Sequence, residues 1–196
     1  MNFVLDYSWD RPEPSWTRRS GFTGVLRYLS IGKDDTGQGL TTDELTSLLK
    51  AGLSVGCIWQ EDGDAMTGGS KTGETHGKRA REAMQKLKAP KGSAVYFAAD
   101  SEKITAQHAA DYLTAARPAL GPYIIGLYGG IDVITGTKER MGDNAAYWWQ
   151  TAAWSGSRIA DRIHLYQAVH RGNFAGAQVD VNAAYADNWG QFTETT

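Results

Sequence analysis

The feature that most constrains this chain is a short apolar run that keeps returning. Stretches of apolar, β-branched or aromatic residues occur at 3–6, 25–29, 53–59, 94–100, 123–128, 146–151, 163–168 and 179–181. Each has the length of a strand and is too short for a helix of ordinary size. Between several of them the apolar spacing lengthens to a helical period, the alternation expected of βα units around a parallel sheet. After the sixth run the intervals are too short for regular βα units. Eight strands and about five helices therefore predict an α/β fold, an irregular TIM-like barrel shorter than the regular form of about 250 residues.

The helices announce themselves by capping and spacing. Thr41 is placed as an N-cap, Glu44 as the closing member of a capping box, and Leu40 as a staple against Leu45, with Leu48 and Leu49 extending the apolar face to Gly52. A second helix carries Ala80, Ala83, Met84 and Leu87 and is expected to stop before Pro90. A third carries Ala109, Tyr112, Leu113 and Ala116 and is expected to stop at Pro118. Shorter helices are predicted over 14–19 and 131–141. The stretch 63–73, with four glycines, reads as a long flexible loop. One barrel domain is expected over 1–190, with 191–196 as a tail or the start of a linker.

Composition removes several function classes. A net charge of -2 provides no cationic field for nucleic acid. No apolar run approaches the roughly 20 residues of a membrane span, and residues 1–6 lack the basic and long apolar parts of a secretory signal. Cys57 is the only cysteine, so it reads as a buried thiol. The sequence lacks a His-Glu-x-x-His pair and a phosphate-binding glycine loop. His76, His108, His164 and His170 have no zinc-ligand spacing and read as surface or structural residues; no metal or cofactor is expected.

Carboxylates at the ends of apolar runs are the strongest chemical signal. Asp6, Asp100, Glu102 and Asp180 all stand there, where barrels assemble active sites. Asp100 and Glu102 are two apart, so in an extended chain both project to one face and each disfavours ionisation of the other. An acid in such a place also serves as a turn former or helix cap, and Asp100 has that alternative before the helix near Thr105. Polar side chains sit inside apolar runs at Arg27, Tyr28, Gln60, Tyr128, Gln150, Tyr166, Gln167, Gln178 and Asn182. They either satisfy structural hydrogen bonds or face a wet mouth. Seven tryptophans are compatible with a core or with sugar stacking, and the core reading leads; Trp9 and Trp59, which follow strands, are the choices for stacking.

The ordered set Leu5-Asp6-Tyr7-Ser8, Asp100-Ser101-Glu102, Tyr166-Gln167 and Val179-Asp180-Val181-Asn182 resembles the glycoside hydrolase family 25 lysozymes. More closely, with Arg27-Tyr28-Leu29-Ser30, Leu127-Tyr128-Gly129-Gly130, Trp149-Gln150 and Trp154-Ser155-Gly156, it resembles the glycoside-hydrolase-like domain of bacterial and phage cell-wall proteins. The resemblance implies a peptidoglycan hydrolase of the muramidase or endolysin kind, with substrate-assisted acid catalysis outside the usual two-carboxylate scheme. It implies Glu102 as general acid, Asp100 orienting the acetamido group, and Asp6 and Asp180 as flanking acids. Substrate contacts are expected from Trp9, Arg27, Trp59, Tyr128, Gln150, Tyr166, Gln167 and Asn182. The partner expected is peptidoglycan or a related wall glycan, met by a monomer made without a signal peptide in the host cytoplasm and acting at the wall. The rival readings are a catalytically silent wall-binding module and a hydrolase of another wall polysaccharide.

Overall fold

The computed structural model describes residues 1–31 and 38–193. Eight strands close into a barrel in chain order: β1 (Asn2–Tyr7), β2 (Phe22–Ile31), β3 (Ser54–Gln60), β4 (Ala94–Ala98), β5 (Ile124–Gly129), β6 (Tyr147–Thr151), β7 (Leu165–Phe174) and β8 (Ala177–Ala184). Five helices, α1 (Pro14–Arg19), α2 (Thr42–Lys50), α3 (Gly69–Lys86), α4 (Ala106–Leu120) and α5 (Ile131–Met141), lie between strands. This is the expected irregular TIM-like barrel. β1 to β7 pair in parallel, whereas β8 runs antiparallel to both β7 and β1. The short interval after β7 permits only a hairpin return, which reverses the last strand.

Strand alternation divides the apolar residues into two layers. Val4, Leu26, Ile58, Tyr96, Trp149, Leu165 and Ala184 fill the barrel interior with Trp189. Their neighbours Leu5, Val25, Cys57, Phe97, Leu127 and Trp148 belong to the cluster shared with the helices. Trp189 plugs the floor: a Cβ at Gly56 would lie 2.5 Å from its ring, and Tyr96 donates its hydroxyl to the Trp189 carbonyl at 2.6 Å. Beyond it, Phe192 is buried and exchanges backbone hydrogen bonds with Val55, so packed structure reaches past 190. Residues 194–196 of the expected tail lie outside the described residues.

Three local expectations are corrected. The glycine-rich stretch 63–73 is not a long loop, because α3 starts at Gly69. A Cβ at Gly73 would meet the Tyr112 carbonyl oxygen at 2.1 Å and one at Gly77 the Ala116 carbonyl at 2.6 Å. These glycines permit close contact between α3 and α4. Pro118 does not stop α4, which continues to Leu120 and ends at Gly121 with φ +72°. Finally, Thr41 accepts the Glu44 amide as an N-cap should, but the Glu44 carboxylate turns to Arg11 and Arg27 rather than closing a box.

Candidate active site

The upper interior of the barrel is polar. Asp6, Tyr28, Gln60, Asp100, Tyr128 and Asp180 are among the residues that line a narrow well of about 70 Å³, whose wall is completed by Trp149, Gln167 and His170. All but His170 come from the inward face of a strand or from the turn immediately after one. Asp180 arrives by a route the parallel expectation did not include: it lies near the start of the antiparallel β8, directly opposite Asp6.

Gln167 organises the two acids. Its amide nitrogen donates to Asp180 at 2.8 Å and to Asp6 at 3.2 Å. Its oxygen accepts the hydroxyls of Tyr128 and Thr151, each at 2.8 Å. That division of donors and acceptors fixes which way the amide faces. Asn182 performs the same service from below, accepting the Trp149 indole N–H at 2.8 Å and donating to Asp6 at 2.7 Å and to the Val4 carbonyl at 3.2 Å. Burial, and then the neighbouring Asp180, push the Asp6 carboxyl up to about 7, against the lowering effect of the two amides. Asp100 is more open, but desolvation still raises it above the ordinary carboxylate range, while a 3.0 Å hydrogen bond from Gln60 opposes the rise.

His170 is the residue that sequence reasoning missed. Its Nδ1 lies 2.9 Å from Asp180, which also accepts the Arg171 amide at 2.6 Å. With the carboxylate as acceptor the proton sits on Nδ1, leaving Nε2 for another partner. The other histidines are structural or capping residues: His76 is held between Tyr112 and Glu61, His108 closes a capping box with Thr105, and His164 accepts the Trp148 amide. No zinc-like spacing distinguishes His170, and it lies where the pairing of β7 with β8 shifts register, which strand alternation alone does not reveal.

Several predicted contacts fall on the wrong face. Arg27, fully buried behind the barrel wall, donates to Glu44 and to the carbonyls of Tyr7 and Gln38. Trp59 is 3% exposed in the helix-facing layer and offers no face to a sugar. Gln150 is used up by the Arg158 carbonyl and the Ala160 amide. Tyr166 packs on the same outer layer and stacks on Tyr185. In each case the inward neighbour is one residue away: Tyr28, Gln60, Thr151 and Gln167. Asn182 is inward but fully buried, so it holds Asp6 rather than meeting a ligand. Trp9 is 61% exposed after β1 and does not line the well.

Glu102 stands apart from the other acids. β4 ends at Ala98 and a turn follows, so the two-residue alternation does not carry Glu102 to the face of Asp100. Its exposed side chain lines an adjoining depression with Ser101, Asp132 and Trp154. Three of the four predicted acids therefore meet in one well, and the fourth lies across the ridge formed by 99–102.

Residues 15–184 match the family model described as Rv2525c-like, glycoside hydrolase-like domain. The chain belongs to this family. Among solved structures it resembles the Mycobacterium tuberculosis Tat-secreted protein Rv2525c in complex with HEPES, at 22% identity over 97% of this chain and 98% of that one, with a TM-score of 0.83. It also resembles the modular autolysin LytC of Streptococcus pneumoniae in complex with a synthetic peptidoglycan ligand, at 13% identity over 92% of this chain and 46% of that one, TM-score 0.66. A muramidase from Trichobolus zukalii aligns at 13% identity over 95% of both chains, TM-score 0.61. At these identities the likeness is one of fold. No curated protein matches. The neighbours include lysozyme and autolysin types, while the family shown is the Rv2525c-like one rather than glycoside hydrolase family 25. Production in a host cytoplasm without a signal peptide does not stand as an expectation: the Mycobacterium tuberculosis protein that the chain resembles, Rv2525c, is Tat-secreted.

Proposed function

We propose that this chain hydrolyses the glycan backbone of peptidoglycan, binding an acetamido sugar over the barrel mouth. The observation that carries the reading is the convergence of Asp6, Asp100 and Asp180 on one well, with two of the three carboxyls raised by burial. A well of about 70 Å³ holds a few waters and so suits a single substituent rather than a whole pyranose ring. An acetamido group fits that size, and its N–H and carbonyl match the acceptors and hydroxyl donors that surround it.

With the acetamido arm in the well, the glycosidic bond lies over the ridge between Asp100 and Glu102. Asp100 accepts the acetamido N–H, and the acetamido oxygen attacks the anomeric carbon as the bond to the leaving oxygen breaks. Glu102 gives its proton to that oxygen; water then opens the oxazolinium ion and returns a proton to Glu102. Asp6 and Asp180, locked by Gln167 and Asn182, hold the floor, and His170 presents Nε2 to the substrate edge. Mass spectrometry of products from purified walls tests this. New reducing ends at one sugar type, lost in Glu102→Gln with folding intact, are expected; release undiminished by that change removes Glu102 from the role.

A second reading is favoured by one observation: the Glu102 carboxylate makes no contact with the three acids of the well. On it the chain binds wall glycan without cutting it. Wild type would then co-sediment with walls and leave no new reducing ends.

A further inference from the structure

The depression beside the well is itself a built surface. It encloses about 370 Å³, within the range of roughly 300–1,000 Å³ of small-ligand sites. Its floor is aliphatic, from Ala99, Ile104 and Val133, and one wall is Trp154, whose side chain is 45% exposed. Glu102 and Asp132 form the polar rim, and Asp132 is bound by Arg158 at 3.0 Å.

The fold keeps the indole there against its backbone preference. Trp154 has φ +57°, a left-handed conformation costly for a bulky side chain. Ser155, fully buried, secures it: its hydroxyl donates to the Thr151 carbonyl at 2.6 Å and accepts the Ile131 amide at 3.1 Å, tying the loop to the start of α5. Gly130 leaves the room, since a Cβ there would stand 3.2 Å from the Trp154 Cβ. An exposed aromatic ring held this way beside an aliphatic floor fits a ligand with an apolar face and polar edges.

We infer that the Trp154 depression is a second sugar subsite, taking a neutral N-acetylhexosamine of the same glycan chain whose neighbour sits over the well. This rests on the glycan reading of the mouth. The 99–102 ridge connects the two sites without a gap, since Ala99 lines the depression, Asp100 the well and Glu102 the depression again. The pyranose stacks its C–H face on the indole, and Glu102 accepts from ring hydroxyls. Among the described residues no cationic side chain lines the depression, and Arg158 beside it is paired with Asp132, so a sugar bearing a free carboxylate finds no partner there and the subsite selects the uncharged unit.

The test uses the wild-type chain and a five-unit N-acetylglucosamine oligomer, read by the tryptophan indole N–H resonances, with that of Trp154 assigned from Trp154→Phe. Addition of the pentamer is expected to shift the Trp154 resonance, and an equally long galacturonic acid oligomer to leave it in place. By calorimetry Trp154→Ala should weaken pentamer binding about tenfold, and Trp154→Phe less. A Trp154 resonance unmoved while Tyr128 and Gln167 signals respond overturns the subsite and leaves the mouth reading intact, as does affinity unchanged in a folded Trp154→Ala. Absence of all pentamer binding overturns the subsite too, while cleavage of walls is judged separately by its products. Should Trp154→Ala fail to fold, the wild-type resonance decides.

Discussion

The barrel wall buries polar groups on both of its faces, and the two sets end differently. On the outer face Arg27 meets Glu44 and two backbone carbonyls, and Gln150 meets an amide and a carbonyl. These networks close on themselves behind the helices, with nothing left to offer a ligand. On the inner face the chain Trp149, Asn182, Asp6, Gln167 and Tyr128 is equally well bonded, but it ends at an open well. Buried polarity alone thus marks structure; buried polarity that leads to a cavity marks a site. The cost of the inner set is visible in Asp6, whose proton is retained to about 7.

Four substitutions sharpen or break that contrast. Arg27→Met should cost the most stability, about 3–5 kcal/mol, because it strands two buried carbonyls and leaves the Glu44 carboxylate to Arg11 alone; urea unfolding measures this. The fraction still folded should bind the pentamer normally, and a specific loss of binding would return Arg27 to the site. Gln167→Leu should cost less, about 2–3 kcal/mol, by orphaning the Tyr128 and Thr151 hydroxyls. It should also weaken pentamer binding, because the two acids lose the amide between them.

Asp6→Asn should separate the faces by pH. The folded carboxyl holds its proton to about 7 and the unfolded one only to 3.8, so the stabilising contribution is full below 3.8 and is lost as pH rises through 7. Wild type should therefore melt lower at pH 8 than the variant, by on the order of 5 °C, with the gap closing near pH 4. A gap that widens on acidification would contradict a raised Asp6. Trp59→Phe should have the smallest effect. It removes an indole N–H that has no partner in its buried setting, and pentamer affinity should stay within about twofold.

The architecture was legible because each strand carries its own apolar run, and the shortness of the later intervals exposed the irregular end of the barrel. Asp6 and Asp100 were legible for a related reason, charge placed where an apolar run stops, whereas Asp180 lies inside the antiparallel β8 and reaches the well by its pairing with Asp6. Glu102 was read on strand geometry that ends four residues earlier, at Ala98. The choices of Arg27, Trp59, Gln150 and Tyr166 erred by a single position because polarity was read without the parity of the strand, which sends alternate residues to opposite faces. The glycines of α3 were hidden because helix-to-helix contact and loop flexibility call for the same residue. His170 depends on a pairing across β7 and β8 that no local pattern carries.

The most direct test compares reducing ends released from purified peptidoglycan by wild type, Asp100→Asn and Trp59→Phe. A glycan-cleaving inner mouth predicts equal release from wild type and Trp59→Phe, with Asp100→Asn reduced about 10²- to 10⁴-fold. Release by Asp100→Asn equal to wild type, or none from wild type, would contradict it.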